Sequence, residues 1–318
     1  MGAHVVSVFD PWQGLRFSTG VHSLLSRAGG EPYGLRMCDP EDRVLRAMTD
    51  DASFRVMTAI TTRTVAEVVR LQKPPPSEIE RLGGLLTGTI LVRETMSPSL
   101  RVQGIIRGAD KGTLVADSHP DGTSRGLVSL PKGTSLQMGQ GATLMMMRTL
   151  PNGKLNQGMV SLEHSSVVSQ ALMTYMLESE QVKSMIDVAC VVENGEVVAA
   201  GGFIVQLLPE LTDSQLAIMT ERLADFPPMA KLLQSGKTAS HVLEELLYRM
   251  PFTRLGDSPL RFECKCSQMR VVASLATLDR EELNQLVADG KTLEISCDFC
   301  GKDYAITQEH VRGLLSES

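Results

Sequence analysis

No stretch of the chain is apolar over the ~18 residues that a membrane-crossing helix needs. The start lacks the charged beginning, apolar run and small-residue cleavage site of a secretory signal. Position 6 is Val6 rather than Ser or Thr, so Met1-Gly2 does not read as a myristoylation site. Gly14 to Arg36 is rich in Arg, Ser, Gly and Leu, faintly like an organelle presequence, but Asp10 and Glu31 argue against one. A basic excess is also missing: the formal charge of the 318 residues is -6 and the isoelectric point about 5.6. That balance argues against a large nucleic-acid footprint. No internal repeat, low-complexity tract, hydrolase elbow, phosphate loop or zinc-protease helix is found. The expectation is a cytoplasmic, multi-domain protein with neither membrane nor nucleic acid as partner.

What is present organises the chain into four parts. Residues 1–42 are punctuated by Pro11, Gly14, Gly20, Gly29-Gly30 and Pro40 without sustained periodicity, which reads as a mobile extension. Residues 43–211 read as an α+β body. Within it Asp51 to Gln72 looks helical, and Lys73-Pro74-Pro75-Pro76 breaks that helix. Ser77-Glu78-Ile79-Glu80 then reads as a capping box opening a helix towards Arg93. From Leu100 to Leu208 apolar runs are divided by turns at Lys111-Gly112, Pro120-Asp121-Gly122, Pro151-Asn152-Gly153 and Glu193-Asn194-Gly195, with one helix around Ser166 to Gln181. The runs flanking Asn194-Gly195 carry a strong hairpin signal. After Pro209 strands are expected to stop. Residues 212–261 read as a helical linker, with short helices at Thr212–Leu223, Met229–Leu233 and Ser240–Met250. The last carries an apolar stripe of Val242, Leu243, Leu246, Leu247 and Met250.

Residues 262–318 hold the chemistry. Cys264-Lys265-Cys266 is followed, after thirty residues, by Cys297-Asp298-Phe299-Cys300-Gly301. Two close thiol pairs at that separation are a metal-ligand arrangement, and Zn²⁺ prefers four thiolates in a tetrahedron. A segment of this size has a marginal apolar core, for which a structural metal is the usual remedy. Gly301 suits a left-handed turn after Cys300. Asp279 and Glu282 can cap a helix carrying Leu283, Leu286 and Val287 that ends at Asp289-Gly290. Leu293, Ile295 and Cys297 alternate as a strand. The site reads either as a purely structural knuckle or as a switch. Binding in such sites is worth roughly 10–16 kcal/mol of folding energy, and each thiol has a neighbour able to capture its oxidised form.

Other residues have plainer readings. Cys190 lies in an apolar strand and reads as a small buried hydrophobe, Cys38 as an exposed thiol of the extension. His310 reads as a surface histidine, since four cysteines fill the tetrahedron. The seventeen methionines, Met145-Met146-Met147 among them, read as strand core rather than a promiscuous surface. With all ligands supplied by cysteine the metal keeps no open position, and the chain reads as no enzyme.

The cysteine module, from Phe262-Glu263-Cys264-Lys265-Cys266-Ser267 to Cys297-Asp298-Phe299-Cys300-Gly301 and Tyr304, resembles the redox module of the heat-shock protein 33 family. Ser179-Glu180-Gln181, Ala199-Ala200-Gly201-Gly202-Phe203 through Leu207-Leu208-Pro209, and Ala116-Asp117 with Arg125-Gly126 are similar to that family's N-terminal domain. The likeness covers about residues 51 to 315. Three features depart from the pattern: the family's Gly-Asp-Gly-Pro turn is Gly108-Ala109-Asp110-Lys111, its charged run after Cys-x-Cys is Ser267-Gln268-Met269-Arg270, and the first forty-odd residues have no counterpart.

The resemblance implies an oxidation-activated, ATP-independent holdase chaperone. Cys264, Cys266, Cys297 and Cys300 would hold one Zn²⁺ when reduced. Oxidation would pair Cys297 with Cys300 and Cys264 with Cys266, release the zinc, and unfold module and linker so that unfolding client proteins are captured. A homodimer is implied for the oxidised state. Two rival readings remain, a zinc-ribbon adaptor for a nucleic-acid or transcription partner and a thiol oxidoreductase. Residues 262–318 carry six Lys/Arg against ten Asp/Glu, which weighs against the adaptor. No thioredoxin-like βαβ pattern supports the oxidoreductase.

Overall fold

A computed structural model describes residues 15–17, 41–150, 152–165 and 167–316. The first strand is β1 (Leu15–Phe17), and β2 (Arg43–Thr49) and β3 (Phe54–Ile60) follow. Next come α1 (Thr62–Gln72), α2 (Pro76–Glu94), β4 (Arg101–Arg107), β5 (Thr113–Ser118) and β6 (Thr123–Ser129). β7 (Thr143–Thr149), β8 (Leu155–Ser161), α3 (Val168–Glu178), β9 (Ser184–Glu193) and β10 (Glu196–Leu207) complete that stretch. Three helices, α4 (Asp213–Asp225), α5 (Met229–Gln234) and α6 (Ala239–Leu246), precede β11 (Phe252–Pro259) and β12 (Arg261–Phe262). The C-terminal part holds α7 (Gln268–Leu275), α8 (Arg280–Ala288), β13 (Leu293–Cys297), β14 (Asp303–Ile306) and α9 (Gln308–Ser316). The chain divides into two units, one spanning Pro40–Glu263 and one containing Cys264–Ser318 and β1.

The larger unit has a five-stranded antiparallel sheet in the order β11-β2-β3-β10-β9 and a six-stranded sheet in the order β12-β6-β5-β4-β7-β8. Helix α2 is buried nearly all round because it packs on strands of both sheets. Its apolar residues Ile79, Leu82, Leu85, Leu86, Ile90 and Leu91 therefore point in every direction. Gly83 is what lets it approach β9: a Cβ there would stand 2.7 Å from the Cys190 sulfur. Asn194 and Gly195 take φ of 53° and 83°, the conformation a two-residue hairpin turn needs, and join β9 to β10. Met146 and Met147 are core residues, as is Cys190, matching the plainer reading of each.

Three sequence expectations are corrected. Residues 54–60 form strand β3 rather than the start of a helix. β3 is central and buried on both faces, so its apolar residues run together without the alternation that marks a strand. The capping box at Ser77 does not form, because α2 begins at Pro76, which has no N–H to satisfy. The buried Glu78 carboxylate instead accepts from the Leu136 N–H at 3.1 Å and from Arg81 at 3.0 Å. Strands do not stop after Pro209: β11 pairs with β2 across the whole of Arg43–Thr49. As an edge strand with mostly exposed side chains, it has little apolar pattern to show.

The helices expected between 212 and 250 form, two of them with complete capping boxes, Thr212 with Gln215 and Thr238 with His241. Val242, Leu243, Leu246 and Leu247 are buried with Leu45, Phe54, Val56 and Phe203 of the five-stranded sheet. Helix α4 is held more lightly, with Met219 as the buried residue of its thirteen and Ile218 49% exposed. The extension expected at 1–42, Cys38 included, lies outside the described residues apart from Leu15–Phe17 and residues 41 and 42.

The smaller unit is built on the sheet β1-β13-β14. The Asp279–Glu282 capping box opens α8, and Gly290 at φ 66° follows its end, as the sequence predicts. Its buried residues include Val271, Leu275, Leu283, Ile295, Phe299, Tyr304, Ile306 and Val311.

Candidate metal centre

Cys297 ends strand β13, where alternation turns Ile295 and Cys297 inward and leaves Glu294 and Ser296 exposed. A tight turn follows, closed by the Gly301 N–H on the Cys297 carbonyl at 2.7 Å, with Gly301 at φ 69°. Only a residue without a Cβ takes that conformation readily, which explains glycine directly after the second cysteine pair. Phe299 inside the turn is buried and anchors it. The Phe299 and Cys300 N–H groups hydrogen-bond the Cys297 sulfur, and that of Lys302 the Cys300 sulfur.

Cys264 and Cys266 come from the segment between β12 and α7. Ser267 caps α7 by accepting from the Arg270 N–H at 3.3 Å. The Arg270 guanidinium reaches back to the Lys265 carbonyl at 2.9 Å and fixes the link between the two thiols. The run Ser267-Gln268-Met269-Arg270 therefore has a structural job of its own, which the sequence alone does not reveal.

The fold brings all four predicted cysteines together: their sulfurs lie within 4.8 Å of one another. Cys264 stands 3.7 Å from Cys297, and Cys266 3.5 Å from Cys300. A tetrahedron with bonds of about 2.3 Å has edges of about 3.8 Å, so both contacts fit a shared Zn²⁺. They are also far longer than the ~2.05 Å of a disulfide, and the four are free thiols. Crowding without a cation suppresses ionisation. Cys297 is pushed well above the ordinary thiol range by its hydrogen bond with Cys264 and by burial. Cys300 is pushed up to about 11, mainly by burial. Four sulfurs this close together ionise jointly only around a positive ion that offsets their mutual repulsion, so the donor set suits a bound metal.

One further residue belongs to the site. The Tyr304 hydroxyl, from β14, donates to the Cys266 sulfur at 3.1 Å, and the Lys302 ammonium sits 5.3 Å from its ring. Tyr304 is buried opposite Ile295 on β13, an inward alternation readable in Asp303–Ile306 but with no spacing rule to mark its contact with Cys266. His310 is exposed and bonded to Thr307, in keeping with a surface role.

Comparison with known proteins decides the family. The family model described as "Hsp33 protein" matches residues 42–307. The chain belongs to the Hsp33 family. Among relatives, the 33 kDa chaperonin of Syntrophotalea carbinolica is 32% identical over 87% of this chain and 100% of its own length. That of Geobacter sulfurreducens is 30% identical over 86% of this chain and 94% of its own. The crystal structure of the Thermotoga maritima 33 kDa chaperonin superposes with a TM-score of 0.71 over 87% of this chain and 99% of that one, at 22% identity, a likeness of fold. Hsp33 membership supports a chaperone function and the α+β architecture expected from the sequence. No helix among the described residues is long and apolar enough to cross a membrane.

Proposed function

We propose that the protein is an ATP-independent holdase, idle while its four cysteines are reduced around one Zn²⁺ and activated when they are oxidised. The observation that carries this reading is the meeting of four thiols within 4.8 Å of one another in a small module. When bound, Zn²⁺ supplies a four-way cross-link worth roughly 10–16 kcal/mol of folding energy. Peroxide can join Cys264 to Cys266 and Cys297 to Cys300. Each new S–S bond takes two electrons from a thiolate pair, and one hydrogen peroxide accepts them with two protons from water and becomes two waters. A disulfide sulfur no longer carries the charge a ligand needs, so Cys264, Cys266, Cys297 and Cys300 let go together.

Residues 43–211 form the stable body in this scheme, 212–261 the metastable linker and 262–318 the switch. The light burial of α4 supports such a linker: loosened, it exposes Val242, Leu243, Leu246 and Leu247 to unfolding clients. The oxidised form acts in the cytoplasm as a homodimer and needs neither membrane nor nucleic acid. The rival oxidoreductase needs a reactive thiol in a thioredoxin-like βαβ setting, whereas the four cysteines sit beside the antiparallel pair β13 and β14.

The test is peroxide treatment of the zinc-loaded chain, following metal release, free thiols and light scattering of a thermally unfolding client. Loss of one Zn²⁺ and four thiols in step with suppressed aggregation is expected. Zinc retained with no protection of the client would sink the reading.

A further inference from the structure

The two sheets have four edges, and three are blunted. β12 is two residues long, β11 bulges between Arg254 and Gly256 and ends at Pro259, and β9 carries Asp187 and Glu193. Short length, bulges, proline and charge are the usual devices that keep an edge from pairing with other chains. The fourth edge, β8, has none of them. Leu155–Ser161 is seven residues long, without charge or proline, and its register with β7 runs unbroken from Leu155 to Ser161.

The pairing also fixes which backbone groups are spare. The Leu150 N–H donates to the Lys154 carbonyl at 2.8 Å, and the Leu162 N–H to the Ala142 carbonyl at 2.9 Å. Hydrogen-bonded pairs alternate with open pairs in an antiparallel ladder. In this register Asn156, Gly158 and Val160 therefore bond to β7, while Leu155, Gln157, Met159 and Ser161 turn their N–H and C=O groups outward. No strand pairs with that side among the described residues. Leu155, Gln157 and Met159 also share one face, on which Leu155 is 48% and Met159 65% exposed.

We propose that the outer edge of β8 is a docking strand for extended, uncharged, apolar segments of unfolded polypeptide, which join the six-stranded sheet through these four residues. This rests on the client-binding reading and places on the folded body a weak share of that binding. That share is open in both redox states and insufficient alone to protect a client, with the linker's apolar surface added on oxidation. Backbone pairing gives affinity without demanding a sequence, and Leu155 and Met159 favour apolar neighbours on alternate partner residues. A seven-residue strand is about 24 Å long. Its footprint is a few hundred Å², well under the ~800 Å² per partner of stable interfaces, which suits transient capture rather than a lasting second copy.

The probe is a short blocked peptide of alternating valine and threonine, added to the full-length reduced chain, in which β11 and β12 still cover β2 and β6. Residue-resolved amide exchange should show new protection at Leu155, Gln157, Met159 and Ser161, with Asn156, Gly158 and Val160 unchanged. Gln157→Pro removes an outward N–H and no bond to β7, and Met159→Lys places a charge at an exposed position. Each should weaken peptide binding roughly tenfold, with the thermal midpoint held. Protection elsewhere, or binding undiminished in both variants, overturns the proposal. So does protection of the same amides that rises with protein concentration and needs no peptide, because a second copy then holds the edge. Client aggregation is scored separately. An oxidised wild-type chain that fails to suppress it defeats the holdase reading, whereas suppression undiminished in both variants, without amide protection, defeats the edge alone.

Discussion

The two units are held together by different physics. The larger one buries a helix on two sheets, with Leu82, Leu85, Leu86, Ile90 and Leu91 each fully enclosed. The smaller one has a thinner core and gathers four sulfurs within 4.8 Å of one another, one of the cysteines buried and three half-buried. Under the proposed function, residues 43–211, stabilised by burial, keep their fold in either redox state, whereas a module stabilised through thiolates follows it. A switch of the proposed kind suits the unit with the smaller core, because chemistry at four atoms could then decide whether that unit is folded.

The largest expected effect is on the module. Cys297→Ser removes a buried ligand and most of the ~10–16 kcal/mol that metal binding contributes to folding. Zinc content should fall below one per chain, and exchange protection within 264–316 should vanish while β4 to β7 stay protected. The reciprocal change is Asp117→Asn in the body. Burial pushes the Asp117 carboxyl up, but His119, Arg101 and Arg125 overcome it and hold the group well below the usual carboxylate range. Breaking such a buried network costs about 3–5 kcal/mol, read as a lower urea midpoint of the body with zinc affinity unchanged. For the native chain this depressed group contributes stability above the unfolded value near 3.8, lost as the pH falls through the lower folded value.

Leu243→Ala sits between the two regimes. It opens a cavity where α6 packs on the five-stranded sheet and should cost about 2–5 kcal/mol locally. The sharper outcome is that it exposes the linker while the cysteines stay reduced, raising client protection without oxidant. The smallest effect is at Tyr304→Phe, which leaves the fold and removes one hydrogen bond to Cys266. Peroxide should consume the thiols about fivefold faster, from a loss of roughly 1 kcal/mol, and an unchanged rate would make Tyr304 mere packing.

Much of the metal centre was legible because its chemistry is local. Two thiol pairs, Gly301 at a left-handed turn and the Asp279–Glu282 box each depend on near neighbours, and all appear as expected. The body was legible where signals are local too, as at Asn194-Gly195. It failed where tertiary context decides: β3 lost its alternation through burial on both faces, and β11 hid its strand character at an exposed edge. The contacts of Tyr304 with Cys266 and of Arg270 with Lys265 depend on how β14 and α7 come together, which no spacing encodes.

In the proposed scheme metal ligation folds the module and leaves the body independent. Amide exchange of the reduced, zinc-loaded chain before and after a strong chelator tests it most directly. The account predicts that protection across β13, β14 and α8 is lost with the metal, while α2 and the strands packed on it keep theirs. A module that stays protected without metal would contradict it, since oxidation of the four cysteines would then have nothing to release.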